Sequence, residues 1–174
     1  MSSSSAPGKA FSARDITWLG ILAAMMIGGQ YVMSQLPNIE PVSLIVIAGT
    51  LVFGWRMLAS VYVFVIAEGF IWGFGWWFWG YLYMWAILVI ITMVFRKAEG
   101  RLTWAVISGF YGLLFGFLYE IPYIFIQNFR TALAWFLSGI PYDCIHAVGN
   151  FVIAFFVLPP LVSVLKKLRA GKIR

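Results

Sequence analysis

"VSLIVIAGTLVFGWRMLASVYVFVIAEGFIW", Val42–Trp72, is apolar almost throughout, interrupted at Gly54-Trp55-Arg56 and, close to its end, by Glu68. Cut at that interruption it yields two membrane spans, Val42–Phe53 and Met57–Trp72, and this division sets how many times the whole chain crosses a bilayer. A crossing helix needs about 20 apolar residues. The first of the pair falls short, so it is expected to be tilted, broken or partly re-entrant.

Working outward, charges, prolines and glycines divide the rest of the chain into spans at 16–36, 76–95, 102–127 and 144–165, with "FRTALAWFLSGIP" (129–141) as a short interfacial helix before the last. The expected fold is therefore an all-α integral membrane protein of six transmembrane helices. Composition agrees: 63% of residues are hydrophobic, 10% are charged, and the mean hydropathy is +0.93. A soluble domain of this length carries more polar surface. The organisation expected is a disordered tail (1–15), one membrane domain (16–165) and a basic tail (166–174). The start, "MSSSSAPGKAFSAR", lacks the charged, apolar and small-residue regions of a signal peptide and reads as retained. One cysteine, Cys144, and one histidine, His146, exclude an internal disulfide and argue against a protein-built metal site.

With six spans the cations sort by side. Lys9, Arg14, Arg56, Arg96, Lys97, Arg101, Lys166, Lys167, Arg169, Lys172 and Arg174 fall on one, and Arg130 alone on the other. The positive-inside rule makes the first side cytoplasmic, with both termini there. The net charge of +6 then reads as a topology signal and calls for no nucleic acid.

Polar residues collect toward the opposite side. At about 1.5 Å of rise per residue, Glu68 lies roughly 18 Å beyond Arg56 and Glu120 roughly 28 Å beyond Arg101. Asp143, His146 and Asn150, three and four residues apart, share one helix face. Ionisable groups within a membrane are costly and face a bundle interior or a watery cavity. These residues therefore outline a substrate pocket with Glu68, Trp72, Tyr81, Glu120, Tyr123, Asp143, His146 and Asn150 as its walls and Asn38, Glu40 and Arg130 at its rim. Asp143 equally suits a helix cap, and Asn150 an interhelical contact. In the fifth span Ala105, Gly109, Gly112 and Gly116 form a small-residue stripe that lets another helix approach, continuing outward into Glu120 and Tyr123. No phosphate loop, nucleophile elbow or H-E-x-x-H motif is present, so no catalytic residue is assigned and the chain is not expected to be an enzyme.

Three stretches, "LPNIEPVSLIVIAGTLVFG" (36–54), "AEGFIWGFGWWFWGYLYMW" (67–85) and "GIPYDCIHAVGNFV" (139–152), together resemble the substrate-binding S component of energy-coupling factor (ECF) transporters, the vitamin-importing branch of ABC transporters. The resemblance implies high-affinity capture of a vitamin or related micronutrient on the extracellular side of a bacterial plasma membrane. It implies partners as well: a membrane coupling subunit and two cytoplasmic ATPases, which would use the ATP and Mg. The family packs its coupling subunit on an alanine-x-x-x-alanine face of the first helix, which here reads Gly20, Ala24 and Gly28. Acids in the pocket would favour a ligand rich in hydrogen-bond donors or positively charged, and Arg130 could meet a carboxylate or phosphate. A self-sufficient secondary transporter or a structural membrane subunit are the other readings.

Overall fold

The computed structural model describes residues 11–36 and 38–171. Among them every regular element is helical: α1 (Ala13–Met33), α2 (Val42–Phe53), a 3-10 turn (Gly54–Arg56), α3 (Met57–Trp72), α4 (Trp76–Val94), α5 (Arg101–Ile126) and α6 (Phe129–Arg169). Five helical stretches are long and apolar enough to cross a membrane, with Val42–Trp72 counted as one of them. Large apolar side chains such as Phe70, Val94, Phe125 and Phe156 point outward, the inverse of a soluble protein and the pattern of a multi-pass membrane protein. In that setting two threonine hydroxyls bond within their own helices: Thr50 and Thr92 each donate to the carbonyl four residues back, at 2.7 Å.

Helix α2 is the axis of the bundle. All but Leu51 of its 12 residues are buried, against α1, α4 and α6. Its N-terminus lies beside the far end of α1, where a Cβ on Gly29 would meet the Pro41 ring at 2.5 Å. The chain then reverses at Gly54, whose φ of +64° favours glycine. Contacts beyond the reversal show α3 running parallel to α1: Ser60 Oγ donates to Leu19 O at 2.8 Å, and the Tyr31 and Trp72 rings lie 6.0 Å apart. Val42–Trp72 is thus a hairpin.

At the turn, charges tie three helices together. Asp15 of α1 accepts from Arg56 Nη1 at 2.5 Å and from Arg169 Nε of α6 at 3.1 Å. Arg169 also donates to Val52 O, one of the open carbonyls at the end of α2, and its guanidinium sits 5.0 Å from the Phe53 ring centre. The Asp15 end and the Trp72 end are therefore opposite poles of the bundle. Lys9, Lys172 and Arg174, and most of the expected N-terminal tail, lie outside the described residues. Helix α1 already begins at Ala13, and α6 runs on through Lys166 and Lys167 to Arg169.

The separate interfacial helix at 129–141 is not found. Instead α6 is one helix of 41 residues with Pro141, Pro159 and Pro160 inside it. Its N-cap is Asn128, whose side chain accepts from Thr131 N at 2.9 Å; Asp143 lies well inside the helix and caps nothing. A proline removes one backbone donor and crowds one carbonyl, so it can bend a membrane helix without ending it.

Helices α5 and α6 make the most intimate pairing. A Cβ on Gly109 would stand 3.0 Å from Ala147 O, and one on Gly112 2.9 Å from the His146 backbone. The expected partner of the glycine stripe is thus α6, whose backbone cannot yield as a flexible side chain can. Gly112→Ala should lower stability by on the order of 1 kcal/mol through overpacking, read as a drop in melting temperature of the detergent-purified protein. Gly139→Ala, which faces open space, should leave it unchanged; equal melting of the two variants would mean that the helices are not in close contact.

Candidate functional site

At the Trp72 end the bundle opens. A cavity of about 350 Å³ is lined by Gln30 from α1 and Ser34 just after it, Glu68 and Trp72 from α3, Trp77 and Tyr81 from α4, and Tyr119 from α5. A second, of about 240 Å³, shares Gln30, Ser34 and Tyr81 with it and continues to Asn38, Glu40, Trp85, Phe115 and His146. The two adjoin along these shared residues. Their aromatic walls interlock: the Tyr81 ring stands edge-on to Trp77 at 5.1 Å and to Trp85 at 5.6 Å between centres.

The floor is built by the start of α2. Glu40, two residues before the helix, turns its carboxylate onto the helix end, accepting from Ser43 N at 2.9 Å and from Ser43 Oγ at 2.5 Å. A carboxylate suits this position because it meets free backbone donors and the positive end of the helix dipole. The same carboxylate lies 3.1 Å from His146 Nε2. In the tautomer that donates from Nε2 to Glu40, Nδ1 is left as an acceptor. That atom is buried without a partner. Phe115 holds the imidazole from the side, with ring centres 4.8 Å apart.

Buried polar atoms are nearly always hydrogen-bonded, so the exceptions mark positions. Five side-chain atoms among the described residues have no partner: Glu68 Oε1, Trp85 Nε1, His146 Nδ1, Glu120 Oε2 and Asp143 Oδ2. Three of the five belong to residues lining the adjoining cavities. Together they offer two acceptors and one donor against aromatic faces, a combination able to orient a flat, polar small molecule.

Of the expected wall residues, Glu68, Trp72, Tyr81 and His146 line these cavities, as do Asn38 and Glu40 from the expected rim. Glu40 is no loose rim group, being only 8% exposed. Asp143 does not orient His146; its carboxylate accepts from Gly116 N at 3.0 Å across the α5–α6 seam. Asn150 Nδ2 reaches Ser108 O on the same seam at 3.5 Å. Glu120 lines a separate, apolar cleft with Phe117, Phe129 and Phe136, and Tyr123 packs between Tyr119 and Trp135. Arg130 is exposed in the first turn of α6. No family model, curated protein or solved structure matches the chain.

Gln30, Ser34, Trp77, Trp85, Phe115 and Tyr119 are cavity residues that reading the sequence did not select. The first two sit at the polar end of a span and look there like ordinary boundary residues. Phe115 and Tyr119 had a signal, since they are one turn apart and neighbour the glycine stripe. Among the described residues no three His, Cys, Asp or Glu side chains gather to hold a metal ion.

Proposed function

We propose that this chain is the high-affinity substrate-binding subunit of an ECF-type ABC importer, taking a water-soluble vitamin or related micronutrient from the extracellular side of a bacterial plasma membrane. The observation that carries this reading is the set of unpaired buried atoms, Glu68 Oε1, Trp85 Nε1 and His146 Nδ1, on residues around two adjoining cavities. Each leaves uncompensated a desolvation cost of about 1 to 3 kcal/mol, which a polar ligand would offset.

Topology supports the same direction of capture. Counting the hairpin at Gly54 as two crossings, this reading has six spans with Ala13 and Arg169 at one end, and the cations Arg14, Arg56, Arg96, Arg101, Lys166 and Arg169 belong to that Asp15 end. By the positive-inside rule that end is cytoplasmic, so the cavity opens outward. ATP and Mg would be used by two cytoplasmic ATPases joined to a membrane coupling subunit. The coupling subunit would pack on Gly20, Ala24 and Gly28, which are exposed on α1; a Cβ at either glycine would meet nothing within 4 Å. Ala24→Leu should therefore abolish assembly with the coupling module and leave ligand affinity within about twofold, because the added bulk blocks helix approach on the lipid side. A parallel loss of binding would show that the face packs internally.

Mass spectrometry of small molecules released from the purified protein tests the central claim. A polar, vitamin-sized compound retained by the wild type and lost from Glu68→Gln is expected. Import by the lone chain in liposomes would make it a secondary transporter, and a protein with neither ligand nor transport would be a scaffold; either outcome sinks the proposal.

A further inference from the structure

Two sets stand out among the cations at the Asp15 end. Arg56 and Arg169 share Asp15. Arg96, Arg101 and Lys166 instead surround a cavity of about 380 Å³ between the α4–α5 turn, the end of α2 and the last third of α6. Among the described residues no carboxylate lies within ion-pair distance of these three, although Glu99 is in the same turn. Three like charges around one space repel each other, and the unpaired arrangement is stabilised by an anion placed between them. The first turn of α5 adds to the field, because it carries no acidic residue and no side chain caps its open backbone donors.

The other walls of this cavity are apolar. Trp104, Leu158 and Val162 line it, and a neighbouring cavity that shares Leu51 and Lys166 with it lies toward Arg169. Leu51 is the one residue of α2 that is not buried. A soluble phosphate would gain nothing from such walls, and an acidic peptide would leave them in contact with water. An amphiphile satisfies both parts, its phosphate among the cations and its first carbons on Trp104 and Leu158. The volume lies within the range of about 300 to 1,000 Å³ usual for small-ligand sites.

We infer that this cavity binds the headgroup of an anionic phospholipid, wedged between the α4–α5 turn and α6 at the end of the bundle opposite the ligand cavity. The site is independent of what the chain captures at its Trp72 end. Its cations do more than set topology: they grip one lipid against the seam where α2, α4, α5 and α6 meet.

Native mass spectrometry of the detergent-purified protein, titrated with dioleoyl phosphatidylglycerol and, separately, dioleoyl phosphatidylcholine, tests this. One phosphatidylglycerol should be retained in preference to phosphatidylcholine. Arg96→Gln, Arg101→Gln and Lys166→Gln should each weaken it roughly fivefold, and the triple variant on the order of a hundredfold. Lys97→Gln and Lys167→Gln, at the same end but outside the cavity lining, should change it by less than twofold. Equal effects from those controls would reduce the site to a diffuse positive surface and overturn the inference. So would the absence of any phosphatidylglycerol preference, or inorganic phosphate competing at micromolar concentration. Tighter binding of hexaglutamate than of the lipid would make this a protein-facing surface instead. Circular dichroism on the triple variant separates lost binding from lost fold, and wild-type lipid retention in a folded triple variant also overturns the inference.

Discussion

Asp15→Ala is expected to lower stability by about 3 kcal/mol, the largest effect of any single substitution at the Asp15 end. The carboxylate holds Arg56 and Arg169 at 2.5 and 3.1 Å and its side chain is only 8% exposed. Removing it leaves two guanidinium groups facing each other across the space it filled. Breaking a buried ion pair from one side costs about 3 to 5 kcal/mol. The lower figure applies because 38% of the Arg169 side chain is exposed, so water takes over part of the charge. Asp15 also stands in the first turn of α1, where a negative charge complements the helix dipole. Chemical unfolding in detergent checks the value. Asp15→Asn should fall nearly as far despite its similar shape, whereas Asp15→Leu combined with Arg169→Met should recover most of the loss. A single variant that unfolds like wild type would mean that the clamp does not tie α1 to α3 and α6.

Glu68→Gln is expected to weaken ligand binding about tenfold to hundredfold without lowering ligand-free stability. Glu68 is 2% exposed, with one carboxylate oxygen unpartnered. A ligand donor left without its carboxylate acceptor costs about 1 to 3 kcal/mol, and the amide keeps the size of the side chain. In the empty protein the same change exchanges one unpartnered buried polar group for another of the same size, so melting should stay level, the signature of a residue kept for function. Isothermal titration with the compound released from wild-type protein supplies the affinity. Unchanged affinity together with a lower melting temperature would make Glu68 a packing group and place the ligand elsewhere.

The sequence carried the helices well and the side-chain partnerships poorly. Val42–Phe53 and Met57–Trp72 were legible to the residue, because Gly54 and Arg56 interrupt an otherwise unbroken apolar run. The glycine stripe was legible too, since a period of three to four residues shows on any helix. Its continuation misled. Glu120 extends the same face as Gly109, Gly112 and Gly116, and that face belongs to α6, so Glu120 ends in the α5–α6 cleft. The cavity face of α5 is carried by Phe115 and Tyr119, each one residue earlier and hence about 100° around the helix. Glu40 could not be matched to His146 across 106 residues, because nothing local reports a contact made by the packing of α2 against α6. Pro141 looked like a boundary because prolines usually are one in soluble helices; the Asn128 cap, a dozen residues earlier, was the truer start signal.

In an importer of the kind proposed, the shortness of α2 would bear on how far a solute has left to travel. Twelve residues span only about 18 Å at 1.5 Å per residue, and the bilayer's hydrocarbon layer is about 30 Å thick. A molecule resting on Glu40 and Trp85 would then have passed about two-fifths of the insulating layer before any helix moved. The dielectric barrier that remains is the length of α2 itself, a single buried rod fastened at its far end by Arg169. Tilting that rod, or the bundle around it, by a fraction of its length would shorten the remaining path more than widening the mouth could.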